Sequence, residues 1–175
     1  MRILVVEDEP EILKAYKIAL ESRGHEVILS DDGPACLEAY KKEVFNQEKM
    51  KRNNKKNPDL HIDVVVLDYR IPKMDGMEVA KRILKISPNQ RVIFASAYVK
   101  ETLEDAVRQL KQPVELLQKP FEPEILVDMI EDTQAYDGLK SLITNIRGFN
   151  IDDPSRDQIR ELFESLGKLH KRRTF

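Results

Sequence analysis

The chain has 175 residues, enough to bury one hydrophobic core with an appendage but too few for two full-sized domains. Apolar residues make up 41% and charged residues 34%, a balance that suits a globular protein and excludes a disordered or fibrous one. A net charge of −2 gives no overall attraction to nucleic acid or anionic lipid, and the lone Cys36 excludes an intrachain disulfide or a cysteine metal cluster, which fits a reduced cytoplasm.

Met1-Arg2 leads straight into a short apolar run, Ile3 to Val6, that meets acids at Glu7. No stretch approaches the roughly 18 apolar residues of a membrane span, so neither a signal peptide nor a membrane partner is expected. Ile12, Leu13, Tyr16, Ala19 and Leu20 then form one helical stripe. A weaker apolar run covers Val27 to Leu29, and a helix is expected from Pro34 to about Lys42. Residues 43–60 are rich in Lys and Asn and read as an elongation of that helix followed by a solvated loop. Apolar runs return at Val64 to Leu67, Val92 to Ala95 and Val114 to Leu117. Between and after them lie the stripes Val79, Ile83, Leu84, then Leu103, Ala106, Val107, Leu110, and then Ile125, Leu126, Met129, Ile130. Beyond Asp137-Gly138 come two more amphipathic patterns, Leu139, Leu142, Ile143, Ile146 and Ile159, Leu162, Phe163, Leu166, Leu169. Asp153-Pro154 supplies an N-cap and first-turn pair for the second.

Runs that are apolar at every position suit strands covered on both faces, hence a parallel sheet with helices on either side. Strict alternation of strand and helix predicts a doubly wound α/β fold, in which sites form outside the carboxyl ends of the strands. The residues there are Glu7-Asp8, Asp68, Ser96 and Lys119. A hard, small dication such as Mg²⁺ prefers oxygen ligands, so Glu7, Asp8 and Asp68 make a fitting half-cage. Three converging carboxylates would raise one another's pKa values unless a cation neutralised them. Lys119 can pair with Asp68 at rest and with a phosphoryl oxygen after transfer, and Ser96 offers a hydroxyl to the same group. Attack by the Asp68 carboxylate would give an acyl phosphate, a self-limiting species suited to signalling.

The runs Val5-Val6-Glu7-Asp8-Glu9, Leu67-Asp68-Tyr69-Arg70-Ile71-Pro72-Lys73-Met74-Asp75-Gly76, Ser96-Ala97 and Lys119-Pro120-Phe121 resemble the four motif blocks of the two-component response-regulator receiver family, chemotaxis regulators included. The resemblance implies a flavodoxin-like, five-stranded sheet in the order 2-1-3-4-5 over residues 1–135; the two further amphipathic patterns, outside it, read as a helical tail over 136–175. It implies that Asp8 binds Mg²⁺ directly, that Glu7 acts mainly through water, and that Asp68 is both ligand and phosphoacceptor. Arg70 would give its backbone carbonyl, Ser96 would be the switch hydroxyl, and Lys119 would be the phosphate-pairing cation, followed by a cis bond to Pro120. The side chains of Arg70 and Tyr98 would flank the hydrolytic water and tune the lifetime of the phosphorylated state. The implied donor is a sensor histidine kinase and the implied output a downstream protein partner. The chain itself would be a switch that promotes its own phosphotransfer and dephosphorylation, rather than an enzyme.

Three features depart from the family pattern. Leu116 stands where the fifth strand commonly has Tyr or Phe, which leaves Tyr98 as the candidate substitute. The 43–60 stretch lengthens a normally short connection, and no recognisable output domain follows the Ile125 to Ile130 helix. Some 35 tail residues cannot form a core alone, so their stripes need cover, with homodimerisation or partner docking the preferred expectation.

Acids at a helix start are favourable without any metal, and Ser96 or Lys119 taken singly would be a cap or a solvated charge. Their joint occurrence after four particular strands is what points to chemistry. His25 and His61 read as structural or solvated, and Cys36 as a small helix residue. The basic residues Lys49, Lys51, Arg52, Lys55 and Lys56 lack interleaved aromatics and read as a solvated helix end; Lys168, Lys171, Arg172 and Arg173 complement the last helix's negative end, so nucleic acid is not an expected partner. A metal-dependent phosphatase would want a second acid where Arg70 stands, and a phosphorylation-controlled transcription regulator would need more tail than a helix-turn-helix unit finds here. A flavodoxin-like cofactor protein shares the fold, but no flavin-binding constellation is present.

Overall fold

A computed structural model of the chain describes residues 1–52, 61–97, 110, 114–138 and 140, the side chains of 50–52 excepted. The strands are β1 (Arg2–Val6), β2 (Glu26–Ser30), β3 (Val64–Leu67), β4 (Arg91–Ser96) and β5 (Glu115–Gln118), and the helices α1 (Pro10–Ser22), α2 (Gly33–Arg52), α3 (Gly76–Ile86) and α4 (Pro123–Glu131). All strand pairings are parallel, in the order β2-β1-β3-β4-β5. That is the doubly wound order the family resemblance implies.

Side chains alternate across a sheet, and both alternating sets are apolar here. Leu4, Val6, Val65, Leu67, Val92 and Phe94 pack with Cys36, Leu37 and Tyr40 of α2 and Val79, Ala80 and Ile83 of α3. Ile3, Val5, Val64, Val66 and Ile93 occupy the intervening positions, are equally buried, and share the interior with Tyr16 and Leu20 of α1. Each such residue contributes about 1.5–3 kcal/mol when fully buried, so two-sided burial makes these three strands the centre of the fold. Polar groups also specify register. Arg91 of β4 grips Glu115 of β5 through Nε at 2.8 Å and a second guanidinium nitrogen at 3.0 Å, both side chains nearly covered. A one-residue slip would separate them and leave unpaired buried charge, costing about 3–5 kcal/mol.

The helices begin where local chemistry allows. Pro10 opens α1, and Gly24, at φ +79°, turns the chain out of it. The Asp32 carboxylate accepts from the Ala35 N–H at 2.7 Å and caps α2; Asp75 accepts from the Glu78 N–H at 2.8 Å and caps α3. The elongation of α2 begins at Glu43, whose carboxylate receives the Arg2 guanidinium at 2.5 Å, and the helix runs on to Arg52. Residues 53–60 of the expected loop lie outside the described residues. So does the expected Leu103 to Leu110 helix, except for Leu110 itself, which is buried.

Only β3 keeps the limits of its apolar run; β1, β2, β4 and β5 differ by one residue at one or both ends, and two of these differences bear on the site and the sheet edge. β4 extends to Ser96, so this residue closes the strand rather than following it, and β5 begins at Glu115 rather than Val114 because pairing with Arg91 lets a carboxylate enter the sheet. The chain divides into two compact units, Met1–Asp128 and Met129–Phe175. In the second, Asp132 accepts from the Ala135 N–H at 3.0 Å and caps a helical segment over 133–138, while the two predicted tail stripes lie outside the described residues. Among the described residues no helix is long and apolar enough to cross a membrane.

Candidate phosphoacceptor and metal site

The carboxyl ends of β1, β3, β4 and β5 bring together Glu7, Asp8, Asp68, Ser96 and Lys119. Glu7 and Asp68 enter from adjacent strands because Val6 and Leu67 are register partners, and the backbone continues the ladder with the Asp68 N–H on the Val6 carbonyl at 3.0 Å. Lys119 is set by its N–H on the Ser96 carbonyl at 3.0 Å and is followed by a cis bond to Pro120, as the family resemblance implies. Its Nζ donates to Glu7 Oε2 at 2.5 Å and to Asp68 Oδ2 at 2.6 Å.

One ammonium thus serves two carboxylates. Glu7 is 1% exposed, Asp68 9%, while Asp8 faces solvent. Burial pushes the Glu7 carboxyl above its ordinary range, the bond to Lys119 works against the shift, and Asp68 adds to it. For Lys119, burial opposes the charge, but the hydrogen bonds to Asp68 and Glu7 outweigh it, and the ammonium is held more firmly protonated than usual. One ammonium facing two buried carboxylates leaves a net shortage of positive charge.

The residues fit a hard cation. One oxygen from each of Glu7, Asp8 and Asp68 lies within 4.8 Å of the others. Glu7 Oε1 is buried without a hydrogen-bond partner, an acceptor aimed inward that a cation or its water would satisfy. All donors are oxygens, the set preferred by Mg²⁺ and Ca²⁺ over softer metals.

The loop after β3 completes the site. The Arg70 N–H donates to Asp68 Oδ1 at 3.1 Å, which places the Arg70 backbone beside the carboxylate. Gly76 folds the loop back with its N–H on the Tyr69 carbonyl at 2.9 Å, and a Cβ there would stand 2.1 Å from the Asp68 carbonyl oxygen, so only glycine fits. Ser96 is fully buried at the end of β4. Leu116, the departure from the aromatic pattern, stands opposite Phe94 and packs against the core. Tyr98, its candidate substitute, lies outside the described residues. Sequence reasoning paired Lys119 with Asp68 but missed its second partner, Glu7. It also missed Asp32 and Lys73, whose side chains join the loop before α2 to the loop after β3; the adjacent Asp32-Gly33 turn signal was the available clue.

A doubly wound sheet of this order, with three carboxylates and a lysine converging at its carboxyl edge, defines a CheY-like α/β signalling fold. The response regulator receiver domain family matches residues 3–131, and the chain belongs to that family. It is 31% identical over 131 residues to the transcriptional regulatory protein GlrR of Escherichia coli (strain K12), covering 74% of this chain and 25% of that protein. It is 29% identical to the response regulator receiver protein CpdR of Brucella abortus, covering 74% and 93%. The chain therefore spans about a quarter of the transcriptional regulator and nearly all of the receiver protein. Among solved structures, a Clostridium thermocellum receiver domain shares 30% identity at a TM-score of 0.56, covering 75% of this chain and 91% of that one. The Thermotoga maritima response regulator TrrA, solved in complex with Mg²⁺ and BeF, shares 27% at 0.53, covering 74% and 96%. Receiver domains are phosphorylation-controlled switches of two-component systems.

Proposed function

We propose that Asp68 accepts a phosphoryl group from a sensor histidine kinase, and that Asp8, Asp68, the Arg70 backbone carbonyl and, through water, Glu7 hold Mg²⁺. The observation that carries this reading is the sharing of the Lys119 ammonium by Glu7 and Asp68 beside an unsatisfied Glu7 Oε1. Bound Mg²⁺ would neutralise charge on the transferring phosphoryl oxygens. An Asp68 carboxylate oxygen forms the new bond to phosphorus as the bond to the donor's imidazole nitrogen breaks, and the imidazole departs with a proton from solvent. Lys119 follows one phosphoryl oxygen, and the Ser96 hydroxyl donates to another. Water later cleaves the acyl phosphate, with Arg70 and Tyr98 tuning its access.

Phosphorylation then biases a two-state element. Residues 103–110, β5 and α4 carry the change to a downstream protein partner, and residues 136–175 serve homodimerisation or docking. The setting is the cytoplasm. The test is titration of the full chain with Mg²⁺ and beryllofluoride, observed by fluorine magnetic resonance together with sedimentation. A bound fluoride signal that requires both Mg²⁺ and Asp68 supports the site, and an accompanying change in mass assigns the tail to dimerisation. No bound signal would overturn the site reading.

A further inference from the structure

The loop from Asp68 to Asp75 is held at more than its ends. Its base is closed by the Gly76 N–H on the Tyr69 carbonyl. Its apex, Pro72 to Met74, leans on the start of α2: the Gly33 N–H reaches the Pro72 carbonyl at 3.5 Å, and a Cβ on Gly33 would stand 2.7 Å from the Met74 carbonyl oxygen. At the same apex Lys73 takes a left-handed backbone, φ +66°, which a long side chain rarely adopts without compensation. The compensation is visible. Lys73 Nζ forms a short ion pair with Asp32 Oδ2, while Asp32 Oδ1 stays on the Ala35 N–H at the start of α2.

We infer that Asp32 and Lys73 form a latch that positions the Arg70 carbonyl, and that the latch sets the affinity of the site for Mg²⁺ although neither residue touches the metal. The inference rests on the proposed metal site. Two residues separate Arg70 from Lys73, with Pro72 stiffening the link, so movement of the apex is transmitted to the Arg70 peptide beside Asp68. The pair is unequal: the Asp32 side chain is 10% exposed and that of Lys73 67%. An anchor fixed at the cap of α2 therefore restrains the exposed arm of Lys73. Ion pairs with one exposed member add little to global stability, so the value of this one lies in where it holds the loop. The bond to Lys73 and the Ala35 N–H together hold the Asp32 carboxyl below the usual carboxylate range, so the anchor stays ionised at neutral pH. Asp32 and Lys73 are positioning residues, acting through the Arg70 backbone.

The experiment is Mg²⁺ titration calorimetry on the full chain, with amide hydrogen exchange of residues 68–76 measured without metal. Lys73→Gly keeps the left-handed backbone and removes the ammonium; Lys73→Arg restores the pair; Asp32→Asn keeps an acceptor for the cap. Lys73→Gly and Asp32→Asn are expected to weaken Mg²⁺ about three- to tenfold, below the 10- to 100-fold typical when a group bonded directly to a ligand is lost. Loop exchange should quicken, Tm should stay nearly constant, and Lys73→Arg should recover most of the affinity. Should Asp32→Asn fail to fold, the exposed Lys73 variants still decide the matter. Affinity within twofold of the unsubstituted chain, or a loss confined to Tm, would overturn the latch. Absence of Mg²⁺ binding by the unsubstituted chain would instead overturn the metal site on which it rests.

Discussion

Lys119→Met removes the charge between two buried carboxylates while keeping most of the side chain's volume. The Nζ now lies 2.5 and 2.6 Å from Glu7 and Asp68, whose ligand oxygens stand within 4.8 Å of one another. At 4.8 Å and an effective dielectric constant of about 20, two like charges repel by about 3.5 kcal/mol. Breaking a buried pair by deleting one partner costs about 3–5 kcal/mol, so the two routes agree on a loss near 3–4 kcal/mol when both acids are ionised. The loss must depend on pH. Burial already raises the Glu7 carboxyl, with Lys119 restraining the shift; without Lys119 it rises further, and protonation relieves the repulsion. Urea unfolding without metal should therefore show a loss of about 3 kcal/mol at pH 8 that shrinks toward pH 5, as Glu7 takes up its proton. Saturating Mg²⁺ should restore much of the loss at pH 8. A loss equal at both pH values, or none at pH 8, would refute the shared-lysine electrostatics.

Gly76→Ala should destabilise the chain by about 3 kcal/mol in urea unfolding, because the new Cβ meets the Asp68 carbonyl at 2.1 Å and forces the loop off its Tyr69 hydrogen bond; a change below about 0.5 kcal/mol, the range of ordinary surface substitutions, would contradict the close approach. Because burial makes Glu7 bind its proton more tightly than a free carboxyl, Mg²⁺ affinity should fall as the pH drops from 8 to 5, and calorimetry showing no dependence would remove Glu7 from the metal's surroundings. Cys36 is fully buried, and burial, with Asp32 nearby, pushes its thiol up to about 12, so a disulfide reagent at pH 8 should label it only in denaturant; rapid labelling of the native chain would show that α2 opens. Ser96→Ala should leave Mg²⁺ affinity within about twofold and slow acyl phosphate formation about tenfold or more. Equal rates would release Ser96 from its proposed role.

The strands at the centre were legible because a parallel sheet covered on both faces demands unbroken apolar runs, and Ile3 to Val6, Val64 to Leu67 and Val92 to Ala95 meet that demand. The edges were less so: Glu115 enters β5 only because Arg91 reaches it from the neighbouring strand, a pairing that periodicity cannot reveal. Glu7, Asp8, Asp68, Ser96 and Lys119 could be picked out because each lies at, or within two residues after, the carboxyl end of a strand, where this topology gathers polar groups. The second partner of Lys119 was hidden for a different reason. Which of three acids a lysine chooses depends on burial and approach, and both are properties of the packed site. The Asp32–Lys73 link joins residues 41 positions apart through one left-handed residue, and nothing in local spacing announces it.

The central claim is that Asp68 takes the phosphoryl group with Mg²⁺ beside it. Intact-mass measurement after incubation with acetyl phosphate and Mg²⁺ tests this most directly, with Asp68→Ala and a chelator as controls. The account predicts a single phosphoryl adduct that forms only with metal, decays with time and is absent from Asp68→Ala. An adduct that persists in Asp68→Ala, or no adduct in the unsubstituted chain, would contradict it.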